Sequence, residues 1–175
     1  MLAFVGYQIL WFAVVIAAGR GHGGMALGFG ALFVAAQLAI ARERATSVRL
    51  LVVAVLLGAA VDGGAAWLGL VVYASPSPLA GGPPWWILGL WAAFATTLPG
   101  PLRWLLGHPV WAAVLGAVGG PLSYAAAQRG WGTVQMVPPD WHGYAWLAVG
   151  WALALAVLSM TPDTPDSGRA APIER

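Results

Sequence analysis

The chain has no cysteine and no lysine, and charged residues make up only 8% of its 175 positions. The lack of cysteine excludes disulfides and thiol chemistry. Ordinary soluble domains have about 25% charged residues, so the scarcity of charge argues against that class of protein. The net charge is only +2 and the arginines are scattered, so no basic surface of the kind that binds nucleic acid is expected.

Apolar residues dominate what is present. They make up 60% of the chain, and the mean hydropathy is +0.78, which is typical of an integral membrane protein. The apolar segments are Leu2–Gly19, Met25–Ala41, Leu50–Ala74, Trp85–Leu98, Val110–Gln128 and Tyr144–Met160. Each approaches the ~17–25 residues that a membrane helix needs, except the fourth, which Pro99 cuts short. We therefore predict an all-α membrane bundle of about six transmembrane helices, forming one domain over residues 1–160.

The positions of the arginines predict the orientation. With the N-terminus inside, six arginines fall on the cytoplasmic side and only Arg20 and Arg129 on the other. This bias predicts that both termini are cytoplasmic. The use of arginine alone, beside many alanines and glycines, indicates a GC-rich bacterial genome rather than a binding surface. Thr161–Arg175 is rich in proline and charge and is predicted to be a disordered cytoplasmic tail.

Asp62 is the strongest lead to function. It is the sole charged residue of Leu50–Ala74 and is placed roughly 20 Å along the helix from Arg49, near the bilayer midplane. A charge there costs ~2.5–3.5 kcal/mol, so Asp62 is expected to face a partner or a cavity. Its neighbours at helical spacing are all small, namely Gly58, Ala59, Ala65, Ala66 and Gly69. We expect this face to pack closely against Gly116 and Gly120, which would desolvate the carboxyl and favour its neutral form.

Two roles for Asp62 stay open at this point. In the first, Asp62 is a catalytic acid that Ser123 and Tyr124 orient, since these two match its depth best. In the second, Asp62 is a hydrogen-bonded tie between helices. The residues predicted to bind substrate are Gln8, Trp11, Trp91, Thr96, Thr97 and Arg103.

The end of the fourth helix is a second candidate region. Pro99 and its neighbours stop the helix, and Thr96 and Thr97 are expected to satisfy the carbonyls that the broken turn frees. Arg103 is then either an interfacial anchor, together with Trp104, or the group that holds an anionic headgroup.

The remaining polar and aromatic residues carry weaker signals. His22, Asp140 and His142 fall on one side of the membrane but lack any recognised ligand spacing, so neither a metal nor a cofactor is predicted. The eleven tryptophans predict aromatic belts first and a ligand cage second. Trp85 and Trp86, which follow a turn, are predicted to be interfacial anchors.

Several strings together resemble a known family. They are Gln8-x-x-Trp11-Phe12-Ala13, Leu57-Gly58 with Asp62, Pro83-Pro84-Trp85, Leu90-Trp91-x-x-Phe94-Ala95-Thr96-Thr97-Leu98, Leu102-Arg103-Trp104-Leu105, and Leu115-Gly116-Ala117-x-Gly119-Gly120-Pro121-Leu122-Ser123-Tyr124. The chain resembles a small bacterial inner-membrane family catalogued as domain of unknown function 2878. The resemblance implies a compact polytopic protein. It also implies a link to lipid metabolism, because members are encoded near cyclopropane-fatty-acid-synthase-like methyltransferases and flavin oxidoreductases.

Three functions follow as hypotheses. The first is lipid or isoprenoid modification, as an enzyme or a membrane subunit, with Asp62 as the acid and membrane lipids as ligands. The second is a scaffold without catalytic activity that binds lipid-modifying enzymes. The third is a small proton-coupled carrier, which needs a polar path to both faces of the membrane. The sequence favours the first and leaves the oligomeric state open.

Overall fold

The computed structural model describes residues 2–75, 77, 79 and 81–161. The elements in chain order are α1 (Leu2–Gly19), α2 (Gly23–Ile40), α3 (Arg44–Trp67), β1 (Val71–Tyr73), α4 (Trp85–Ala95), a 3-10 helix (Arg103–Leu105), α5 (Pro109–Trp131), β2 (Val134–Met136) and α6 (Trp141–Ser159). The all-helical fold class is confirmed, with one small two-stranded sheet added to it. The predicted tail lies outside the described residues after Thr161.

Helix lengths and the outer surface are those of a membrane protein. Four helices, α2, α3, α5 and α6, are long and apolar enough to cross a membrane. The helix α4 has only 11 residues, or ~16 Å, about half of a ~30 Å hydrocarbon core. Many large apolar side chains face outward, among them Ile9, Leu32, Leu56, Val110 and Val149. Such a surface suits lipid rather than water.

Glycines let tryptophan rings lie directly on neighbouring helices. A Cβ on Gly58 of α3 would overlap the Trp91 ring of α4, and a Cβ on Gly120 of α5 would overlap the Trp151 ring of α6. Gly116 packs in the same way on the Trp151 backbone. The prediction that the small face of α3 packs on Gly116 and Gly120 is therefore wrong. Glycine spacing correctly indicates a close approach, but indole rings and another helix occupy the space.

The third helix is displaced relative to its predicted range. It begins at Arg44 and ends at Trp67, after which Gly69 adopts φ +67°, a conformation that favours glycine. The β-branched and aromatic run that follows forms β1, which pairs antiparallel with β2 through Val71↔Met136 and Tyr73↔Val134. Asp62 therefore lies ~7.5 Å from the end of α3 rather than near its middle.

The fourth helix ends before its proline. Its last residue is Ala95, and the chain then turns through Pro99 into the 3-10 helix. Thr96 Oγ1 donates to the Ala93 carbonyl at 2.7 Å, and Thr97 Oγ1 donates to the Phe94 carbonyl at 2.6 Å. Thr96 thus bonds to a carbonyl of the last helical turn, as predicted. The Phe94 carbonyl also accepts from the Thr97 backbone N–H at 2.9 Å, so the Thr97 hydroxyl adds a second bond there rather than satisfying a freed carbonyl.

Candidate functional site

Asp62 is 0% exposed and accepts three side-chain hydrogen bonds. Tyr73 Oη donates to Oδ1 at 2.8 Å, Trp91 Nε1 donates to Oδ2 at 2.7 Å, and Tyr124 Oη also donates to Oδ1. The three donors come from β1, α4 and α5. Within the described part of the chain, no cation forms an ion pair with Asp62. We call these four residues the Asp62 cluster.

The position of Trp91 is fixed from both sides. Gly58, one helical turn before Asp62, leaves room for the indole against α3. The other face of that indole stacks on Trp151 of α6, with ring centroids 3.9 Å apart and planes at 21°. Trp146 Nε1 donates to the Val61 carbonyl at 2.8 Å and so ties α6 to α3 beside Asp62. The indole that donates to the carboxyl is therefore packed on both of its faces.

Tyr73 is the member of the cluster that the sequence analysis missed. It falls inside the predicted third helix, whereas in the structure the turn at Gly69 and the strand β1 return it to Asp62. The available signal was Gly69 followed by Val71, Val72 and Tyr73, a turn residue before a short run of strand formers. Burial, and secondly the Asp62 carboxyl, raise the pKa of Tyr73 well above its usual value. Its hydroxyl therefore stays protonated at physiological pH.

An apolar cavity of about 520 Å³ lies between α1, α4, α5 and α6, within the range of ligand pockets, about 300–1,000 Å³. On α1 its wall is one helical face, made of Phe4, Tyr7, Gln8, Trp11, Phe12 and Val15. None of the residues that line it is charged. Phe12, Leu115 and Leu122 line the cavity and are also exposed, so it opens through the side of the bundle between α1 and α5.

The cavity and the Asp62 cluster share two residues. Trp91 and Tyr124 line the cavity and hydrogen-bond to Asp62, while Asp62 itself does not line it. A ligand in the cavity would therefore touch the partners of the carboxyl rather than the carboxyl. Any proton exchanged with Asp62 from this side passes through the Tyr124 hydroxyl, because the Trp91 indole only donates.

Five of the predicted site residues line this cavity, namely Gln8, Trp11, Trp91, Ser123 and Tyr124. Ser123 Oγ donates to the Gly120 carbonyl at 2.7 Å in its own helix, so it does not orient Asp62 in this structure. Trp86, predicted to be an interfacial anchor, is only 3% exposed and also lines the cavity, whereas Trp85 is 53% exposed. Of these two tryptophans, Trp85 but not Trp86 has the exposure that an anchor requires.

The other three predicted residues lie elsewhere. Thr96 and Arg103 line a separate hollow of about 310 Å³ beside the α2–α3 connection, and Thr97 is buried. Arg103 Nη1 lies 3.3 Å from Glu43 Oε1, and the two side chains are 55% and 40% exposed. Asp62 lies ~27 Å along α3 from Arg44, the residue after Glu43. Arg103 is thus far from the Asp62 cluster.

The described residues contain no cluster of side chains that could bind a metal ion. Among these residues, no group of three or more histidine, cysteine, aspartate or glutamate side chains is placed to hold an ion. The predicted absence of a metal site remains a prediction.

The fold and the site define a helical membrane-type protein with a buried carboxyl next to an apolar cavity. The model of a family described as "Protein of unknown function (DUF2878)" matches residues 1–157. The chain therefore belongs to that family, and the resemblance predicted from its motif strings is confirmed. No curated protein and no solved structure was found to match the chain.

Proposed function

We propose that the protein binds the hydrocarbon chain of a membrane lipid or isoprenoid in this cavity and takes part in its modification. It acts as an enzyme or as the membrane subunit of one, with Asp62 as the acid. The observation that carries the proposal is that Trp91 and Tyr124 contact both the cavity and Asp62. The proposed setting is the bacterial inner membrane, with six spans, both termini cytoplasmic, and lipid-modifying enzymes as partners.

The chemistry of the wall supports an apolar ligand. The cavity is lined mostly by apolar and aromatic side chains and by no charged one, so an ionic metabolite would be desolvated there without compensation. Its open side, at Phe12, Leu115 and Leu122, belongs to the apolar outer surface of the bundle. A chain that enters from the bilayer exchanges one apolar environment for another and meets no polar barrier.

The proposed chemical step is a proton transfer. The Tyr124 hydroxyl gives its proton to an alkene or another basic atom of the ligand, and Asp62 in its acid form returns a proton to the Tyr124 oxygen. The carboxylate that remains accepts hydrogen bonds from Tyr73 and Trp91, which stabilise its charge. In the case of an alkene, its π electrons form the new C–H bond, so the ligand gains one proton and one positive charge, which the Asp62 carboxylate balances. Loss of a proton from a neighbouring carbon of the ligand returns the ligand to neutrality, and Asp62 must be reprotonated before the next cycle.

A purely structural Asp62, in a scaffold, is the second candidate function. The observation that favours it is that Asp62 accepts hydrogen bonds from three elements of the fold. A purely structural aspartate that joins helices would make the same bonds. The carrier hypothesis has less support, because the wall of the cavity offers no charged path. The first two hypotheses differ in what they require of Asp62.

Asp62→Asn separates the two candidates. An asparagine can accept from Trp91 through its oxygen and donate from its amide to the Tyr73 and Tyr124 oxygens, so the ties survive. It cannot supply a proton at physiological pH. In a deletion strain, lipidomics should show a lipid species that wild type restores and Asp62→Asn does not, at equal protein levels in the membrane. Restoration by both would make Asp62 structural and favour the scaffold.

Gly119→Leu tests the cavity without touching Asp62. Gly119 lines the cavity, and a Cβ there meets nothing within 4 Å, so a leucine extends into open space. We expect wild-type stability together with loss of lipid co-purification and of complementation. Gly28→Leu on α2 is the matched control, since it is equally unobstructed but does not line the cavity. Equal lipid occupancy in both variants would remove the cavity from the mechanism.

A further inference from the structure

Two polar residues of the cavity wall have no role in the step proposed above. Tyr7 and Gln8 are adjacent on α1, and both line the cavity. Within the described ranges, neither the Tyr7 hydroxyl nor the Gln8 side-chain amide forms a hydrogen bond. Tyr124, Trp91 and Ser123, which line the same cavity, all do. The wall therefore contains a satisfied polar group at Asp62 and an unsatisfied pair on α1. The buried indole N–H groups of Trp86 and Trp151, which also line the cavity, have no partner among the described residues either, but an indole N–H only donates, whereas Tyr7 and Gln8 also accept.

Of the unsatisfied pair, Tyr7 is packed between aromatic rings of two other helices. The Tyr7 ring meets Phe33 of α2 edge to face at a centroid distance of 6.5 Å and Phe94 of α4 at 5.8 Å. Gln8 is exposed and so lies at the open side of the cavity. In apolar surroundings an unpaired donor or acceptor is unfavourable, and a ligand that supplies the partner is preferred over one that does not.

We propose that Tyr7 and Gln8 bind an uncharged oxygen-bearing group of the ligand, such as an ester, ketone or hydroxyl. This inference rests on the proposed function, because it assumes that a lipid chain occupies the cavity. A phenol and an amide both donate and accept, which suits a neutral oxygen. A carboxylate or phosphate would lack a cation there, since the lining is uncharged.

The position of Tyr7 relative to the Asp62 cluster can be described along α4. Tyr7 contacts Phe94, which lies three residues after Trp91 on α4, or ~4.5 Å along the helix. The Tyr7 ring thus packs on α4 about one helical turn from Trp91 of the Asp62 cluster. The proposed ligand is therefore a lipid that carries an uncharged oxygen-bearing group in the part of its chain that occupies the cavity.

The test compares two uncharged probes of matched length, methyl palmitate and octadecane. Each competes with bromo-octadecane, which quenches cavity tryptophans, on the purified full chain in detergent. We expect wild type to prefer the ester by about fivefold, the effect of roughly one net hydrogen bond. The double variant Tyr7→Phe/Gln8→Leu should bind both probes equally. Tyr144→Phe/Gln135→Leu is the control, since neither residue lines the cavity, and it should keep the preference.

The outcomes are distinguishable from failure of the proposed function. If both probes displace bromo-octadecane equally from wild type, the inference about Tyr7 and Gln8 is overturned, while chain binding in the cavity stands. Retention of the ester preference in the Tyr7→Phe/Gln8→Leu variant overturns it as well. If bromo-octadecane quenches nothing and neither probe binds, the proposed function and the inference fall together.

Discussion

The Asp62 cluster and the Arg103–Glu43 pair are the two polar regions that the structure places at opposite ends of α3, and they are built differently. Asp62 is fully buried, with three donors from three elements and a stack of indoles behind them. Arg103 and Glu43 are about half exposed at the surface. A buried, saturated carboxyl is unfavourable to break, whereas an exposed ion pair contributes ~0–1 kcal/mol. Asp62 is therefore pre-organised by its three donors, whereas the Arg103–Glu43 pair is a surface contact.

Asp62→Ala should give the largest effect on stability. It leaves the hydroxyls of Tyr73 and Tyr124 and the Trp91 N–H without their common acceptor in a buried place. Each buried unsatisfied group costs ~1–3 kcal/mol, so the free energy of unfolding should fall by at least ~3 kcal/mol. Thermal unfolding in detergent measures this. Asp62→Asn, which keeps the hydrogen bonds, should lose less than half as much.

A small loss of stability in Asp62→Ala would contradict this prediction. A loss below ~1 kcal/mol for Asp62→Ala would mean that the three donors find other partners or water. The Asp62 cluster would then contribute no more to the free energy of unfolding than the exposed Arg103–Glu43 pair.

Gly58→Ala should give the next largest effect. The added Cβ would overlap the Trp91 ring, which cannot retreat because Trp151 stacks on its other face. Overpacking of this kind costs typically ~1–3 kcal/mol. The shifted indole should also lose its bond to Asp62, visible as a change in tryptophan near-ultraviolet circular dichroism. Gly28→Ala, also helical but unobstructed, should be neutral or stabilising by ~0.5–1 kcal/mol.

The Asp62 cluster and the packing at Gly58 could be predicted from the sequence only in part. Asp62 could be singled out because a lone carboxylate in an apolar run is costly, and Tyr124 because its depth in the fifth helix matches. The small residues around Asp62 correctly predicted a close approach. They could not predict what approaches, because an indole and a neighbouring helix fill the same space, and here Trp91 is the group against Gly58.

The helices were predictable because apolar runs are separated by turn residues, and the predicted bounds of α1 agree with the structure. The strand β1 was not predictable in the same way. Val71, Val72 and Tyr73 continue the apolar run of α3, and a short apolar run does not distinguish helix from strand by periodicity. A helix that continues through Val71–Tyr73 carries Tyr73 away from Asp62. The sequence prediction therefore omits Tyr73 as a donor to Asp62, because it continues the helix through the turn at Gly69.

Arg103→Gln should have the smallest effect of the three. Its guanidinium lies 3.3 Å from Glu43, and both side chains are largely in contact with solvent, so the pair should be worth less than ~1 kcal/mol and weaken with salt. A double-mutant cycle with Glu43→Gln, measured by thermal unfolding at low and high salt, isolates that coupling. Both single variants should complement the deletion strain fully.

Complementation decides what Arg103 does beyond stability. If Arg103→Gln abolishes it while Glu43→Gln does not, the arginine is needed for its charge toward something other than Glu43. The headgroup role predicted from the sequence would then be right, with a lipid phosphate as the anion. Arg103 pairs with Glu43, and Arg44, the next residue, lies ~27 Å from Asp62 along α3. A lipid with its headgroup at Arg103 and its chain in the cavity would span a separation of this order. The two regions would then bind the two ends of one ligand, and the contrast between them would be one of role within a single site.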